Sequence, residues 1–164
     1  MRILGLDPGL RHTGWGLVDK QGSRFVFVAA GVINPDEKLP LANRLFELNE
    51  SLKKLIEEWK PDTAAVEETF VNKNPNSTLK LGQARGVVLM TPASYGLSVG
   101  EYTPNQIKKT ITGVGHAEKK QVDMMVRTLL KTVPTNIPAD ASDALAIALT
   151  HGFLGLSGHN ILGY

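Results

Sequence analysis

The chain has 164 residues and a mildly basic balance, with 18 Lys and Arg against 16 Asp and Glu, and no cysteine. That length fits one domain, able to bury about 70% of its unfolded surface without staples. The lack of cysteine excludes disulfides and thiolate metal sites and suits a reducing, cytoplasmic setting. No apolar run is long enough to span a bilayer, and the chain opens on a strand rather than a charged-then-apolar leader, so no membrane partner is expected. A net charge of +2 permits nucleic acid without pointing to it.

Arg2 to Leu6 reads as a buried central strand, stopped at Asp7-Pro8-Gly9. Asp7 therefore stands at a strand's carboxyl end, where open α/β sheets place their chemistry. A second strand covers about Thr13 to Asp19. A hairpin turn at Lys20-Gln21-Gly22-Ser23 leads to a third from Arg24 to Ile33. Leu41, Leu45, Leu48, Leu52, Leu55 and Trp59 then form one apolar helical stripe, ended at Lys60-Pro61.

Thr63 to Glu68 is a short strand closing on two acids, followed by a polar loop over Thr69 to Asn76. A helix runs from about Ser77 to Met90. Gly82 and Gly86, four apart on it, would let another backbone approach. Leu97 to Tyr102 is a fifth strand, and Thr103-Pro104 opens a short helix as N-cap and first residue. Gly113-Val114-Gly115 breaks that helix, Ala117 to Lys131 forms another, and the last helix opens at Asp140. The order predicts an α/β fold, a five-stranded mixed sheet flanked by helices on both faces. Its first strand should lie centrally beside the fourth. The domain spans residues 1–154, with a flexible tail at 155–164.

Four acids then stand at element ends. Asp7 and Glu67 face each other if their strands are parallel neighbours, and Asp140 and Asp143 share a helix face. Singly, Asp140 reads as an N-cap and Asp143 as a complement to the helix dipole. Together the four would repel unless cations bind them, and an oxygen-only set selects Mg²⁺, with Mn²⁺ as substitute. Two such ions suit phosphodiester hydrolysis. Lys73, Asn74, Lys80, Arg85, Lys108 and Lys119 lie in or beside the loops near these acids and can meet phosphates. Phe70 is either a core plug or an aromatic for stacking on a base. The helix with Leu81, Gly82, Gly86, Val88 and Leu89 keeps an apolar surface without an evident partner, which suggests a two-fold dimer interface.

Ile3-Leu4-Gly5-Leu6-Asp7-Pro8-Gly9, Thr13-Gly14-Trp15-Gly16, Ala65-Val66-Glu67 with Phe70, Lys80 to Gly86, Glu101-Tyr102 with Lys108, Ala117-Glu118-Lys119 and Ala139 to Ala146 together resemble the RuvC crossover-junction endonucleases, in order and over nearly the whole chain. The resemblance implies an RNase H-like fold. It further implies a homodimer that resolves Holliday junctions by paired nicks and works with the RuvA–RuvB branch-migration complex. It carries the metal-binding acids to Asp7, Glu67, Asp140 and Asp143, the basic residues near the scissile phosphate to Lys108 and Lys119, and the junction-probing aromatic to Phe70. Two other readings stand beside it. An actin-like or sugar-kinase ATPase also opens with Asp-x-Gly, but no second Asp-x-Gly occurs. A non-catalytic DNA-binding member of the fold would have no need of all four acids.

Overall fold

The computed structural model describes residues 1–68 and 74–155. The chain runs β1 (Arg2–Pro8), β2 (Thr13–Gln21), β3 (Arg24–Ile33), α1 (Leu41–Trp59), β4 (Thr63–Glu67), α2 (Pro75–Ser94), β5 (Ser98–Tyr102), α3 (Pro104–Thr112), α4 (Lys119–Leu129) and α5 (Ala139–Leu154). The sheet order is β3-β2-β1-β4-β5, so β1 is central. It pairs antiparallel with β2 and parallel with β4. The mixed sheet, the central first strand and its neighbour β4 are as the sequence pattern predicts.

Alternation along β1 sorts the two cores. Leu4 and Leu6 face one side with Leu48, Leu52, Leu55 and Ile56 of α1 and Val88 of α2. Ile3 faces the other side, with Ile107 and Ile111 of α3, Val126 of α4 and the interior of α5. Gly5 also lies on that second face. A β-carbon there would stand 2.0 Å from the backbone oxygen of Ala144, so its absence lets α5 press directly onto the central strand.

The far end of α5 is pinned by a buried polar chain. His151 Nδ1 lies 2.7 Å from the Tyr102 hydroxyl and its Nε2 lies 2.9 Å from Thr63 Oγ1. A neutral imidazole satisfies both contacts, one nitrogen accepting and the other donating. Burial holds the His151 pKa below its ordinary value.

β1 continues through Asp7 and Pro8, β2 ends at Gln21 rather than Asp19, α2 runs on past Met90 to Ser94, and three helix starts depart from the sequence reading. Pro75 belongs to the first turn of α2, not to the preceding loop; Asn74 is the N-cap, its side chain accepting from the amides of Asn76 and Ser77. Proline fits there because that amide has no helical partner. The helix expected from Ala117 begins at Lys119, with Glu118 as its N-cap and its amide donating to Gln121 Oε1 at 2.9 Å. Asp140 is not the N-cap of α5; Pro138 is, and Asp140 is the second helical residue. Its carboxylate is thereby left available for other work.

Candidate active site

Asp7 sits on the α5 side of β1, in register with Gly14 on β2. Leu6 is in register with Val66 of the parallel β4, which brings Glu67 beside Asp7. Asp140 and Asp143 enter from the first turns of α5. One carboxylate oxygen from each of Asp7, Asp140 and Asp143 lies within 4.8 Å of the others. Glu67 stands outside that tight trio but is hydrogen-bonded to Asp7. The four acids named from sequence are thus brought to one place, three in one cluster and the fourth bonded to it.

The electrostatics record the crowding. Burial, then the charges of Glu67 and Asp143, push the Asp7 carboxyl up to about 8. Burial raises Glu67 and Asp143 as well. Lys119 relieves Asp143 through an ion pair with its Nζ 2.9 Å from Oδ2, and that contact raises the lysine's own pKa. Acids held this far above their usual range are a site built for positive charge. The donors are all carboxylate oxygens, which suits a hard divalent cation.

Two lysines complete the site from separate helices. Lys108 comes from α3, whose start is fixed by reciprocal bonds between Thr103 and Gln106 at 2.8 and 3.1 Å. Lys119 opens α4, which is tied to α5 by Ser142 Oγ donating to Asp123 Oδ1 at 2.5 Å. Both line a cleft of about 270 Å³ with Glu67 and Asp143, over an apolar floor that includes Ile107 and Val122.

A family model described as "Crossover junction endodeoxyribonuclease RuvC" matches residues 3–151. The chain belongs to the RuvC family. A relative of that name from Rhodopseudomonas palustris (strain BisA53) is 55% identical over 152 residues, 92% of this chain and 86% of its own. Another from Azorhizobium caulinodans is 57% identical, covering 92% and 89%. The structure of T. thermophilus RuvC in complex with a Holliday junction substrate superposes with a TM-score of 0.89 at 33% identity, over 96% of each chain. The fold is therefore that of RuvC, RNase H-like as the resemblance implied.

Other expected site residues of this RuvC-family chain fare differently. Phe70 and Lys73 lie outside the described residues, as does the tail from 156 to 164. Arg85, read as a phosphate contact, instead pairs with Glu101 and so ties α2 to β5. Asn74 spends its side-chain oxygen on the helix cap. Lys80 is exposed. Among the residues read as a dimer surface, Gly82 and Gly86 are exposed and Leu81 and Leu89 half-buried. Val88 is fully buried against the sheet and is withdrawn from that surface. Gly14, against which the Asp140 backbone oxygen packs, carries no signal of that role within Thr13-Gly14-Trp15-Gly16; nothing local marks a glycine that a distant helix will rest on.

Proposed function

We propose that Asp7, Glu67, Asp140 and Asp143 form the cutting site of a junction-selective endodeoxyribonuclease, one that resolves Holliday junctions in recombination and repair. The observation that carries this reading is the carboxylate trio at the end of the central strand with Lys108 and Lys119 in the adjoining cleft. The name shared by the relatives, and the junction bound in the T. thermophilus structure, point the same way.

The acids are proposed to hold two Mg²⁺ ions, with Mn²⁺ able to replace them. Bound there, such ions supply an activated water and stabilise the leaving oxygen of a phosphodiester. The chain's own part is positional. The rigid sheet holds Asp7 and Glu67 while α5 presents Asp140 and Asp143. Lys119, held by Asp143, and Lys108 meet the negative charge of the phosphate. The products are 5′-phosphate and 3′-hydroxyl ends.

The partner set is proposed likewise: four-way junction DNA, a second copy of the chain, and RuvA–RuvB, in the cytoplasm. On α2, Leu79, Gly82, Gly86 and Met90 recur at steps of three and four on an exposed face, with Leu79 64% and Met90 57% exposed. Such a stripe suits a self-complementary two-fold contact, in which small residues let the helices approach. A two-fold dimer would set two sites symmetrically about a four-way junction.

The test is cleavage of a synthetic four-way junction beside a linear duplex of the same sequence, with and without Mg²⁺, every strand mapped. Paired, metal-dependent nicks on opposing strands of the junction are expected. Equal cutting of both substrates, or none of either, would overturn the reading.

A further inference from the structure

The turn after Asp7 separates the two faces of the sheet. On the face away from the acids, Gly9, Leu10 and Arg11 close over α1 and α2 and frame a second cleft. Arg44 of α1, Lys80 of α2 and Arg11 of the turn line it, and no acid does. Arg44 Nη2 donates to the Leu10 carbonyl at 3.0 Å, while its Nε is buried without an acceptor. Arg11 has only a loose, exposed partner, Glu37 at 3.7 Å, and such pairs contribute little. Among the described residues, neither Arg44 nor Lys80 has a carboxylate partner. The first turn of α1 adds to the same positive field, since it carries no acid and no side-chain cap.

Three cations gathered around one concave site repel each other, and among the described residues only the loose, exposed Glu37 pair of Arg11 offsets them. A concave, cationic, acid-free surface is matched by an oxyanion. Guanidinium groups suit phosphate geometry, and an exposed lysine adds a point charge.

We propose that this cleft binds a backbone phosphate of DNA, as a second anchor across the Asp7 turn from the cutting site. The proposal rests on the reading of the chain as an enzyme acting on DNA. Such a contact positions the strand without reading its sequence. Arg44 is the linking residue. It holds the Leu10 carbonyl, three residues from Asp7, and offers its charge to the phosphate, so the anchored strand and the cutting acid share one turn.

The experiment measures junction binding in the absence of divalent metal over about 50–200 mM salt, for wild type, Lys80→Ala, Arg44→Gln and Lys80→Arg. Lys80 bonds neither to the acids nor to the turn, so its loss is read without disturbance of Asp7. The slope of log affinity against log salt should become shallower by about 0.9 for one lost phosphate contact. Affinity should fall several-fold, alike on junctions of unrelated sequence, and Lys80→Arg should restore it. Wild-type slope and affinity in both Lys80→Ala and Arg44→Gln would overturn the proposal, as would weaker binding with an unchanged slope. Wild-type nicking of the same junction in Mg²⁺ tests the enzymatic reading separately. A wild type that binds with a Lys80-dependent slope but never cuts would remove that reading and leave the anchor standing.

Discussion

The backbone oxygen of Asp140 rests on the bare Cα of Gly14: a β-carbon built there would lie 2.0 Å from it. Gly14 is also the residue in register with Asp7. One glycine thus sets how closely the start of α5 approaches the strand pair that carries the first acid. Gly14→Ala must push the helix outward, and overpacking of this kind costs about 1–3 kcal/mol. The melting temperature should fall by several degrees. Metal-dependent nicking should fall at least about tenfold while junction binding largely survives, since a small misplacement of reacting groups is costly to rate. Calorimetry and single-turnover nicking check this, and full activity in Gly14→Ala would show that the contact is not limiting.

The crowded acids predict an inverted pH response for the metal-free protein. Asp7 titrates near 8 when folded against 3.8 as its ordinary value. Between those values the folded protein keeps a proton that the unfolded chain has released, so stability falls as pH rises through the window. Melting temperature without metal should decline from about pH 5 to pH 8, and Mg²⁺ should raise it more at pH 8 than at pH 5, because cations bind the ionised folded form. Asp7→Asn should melt above wild type at pH 8 without metal and lose nicking by at least about 100-fold, more than loss of an outer partner costs. A metal-free melting temperature that rises across this range would refute the assignment.

Glu67 and Glu68 are separated by strand geometry. Glu67 bonds to Asp7 and lines the cleft with the lysines. Glu68 follows β4, its amide donating to the Tyr102 carbonyl at 2.8 Å, and the alternation of an extended chain predicts that its side chain points away from that of Glu67. Glu67→Gln should be inactive in nicking and Glu68→Gln near normal. The comparison needs only equal protein concentrations and one junction.

The apolar residues of α2 divide by face. Met90→Asp changes an exposed side chain, so it should leave the fold intact while weakening self-association and paired cutting together. Val88→Asp buries a charge in the core and should cost several kcal/mol, unfolding the chain instead. Sedimentation and circular dichroism of the two variants distinguish the outcomes. A Met90→Asp protein that sediments as wild type would refute the proposed dimer contact on α2.

Local pattern determined much of this protein. The apolar run before Asp7, the β-branched third strand and the four-and-three stripe of α1 each write their geometry into neighbouring residues, so strands, helices and a central β1 were legible. Asp7, Glu67, Asp140 and Asp143 could be picked out as candidates, because acids at element ends stand out against apolar runs, and the fold brings them together. What the tertiary structure decided concerns residues whose meaning depends on a distant partner. Arg85 is a cation in any window of sequence, and only Glu101, sixteen residues away, ties it down. Val88 and Met90 are both apolar and two apart, and the rotation of α2 against the sheet alone buries one and exposes the other. Gly14 and Arg44 carry no local signal, since their work is to accept or hold backbone that the fold brings to them: the carbonyls of Asp140 and Leu10. Short-range periodicity encodes which face a residue takes; what lies on the other side of that face is a long-range contact, and no local window contains it.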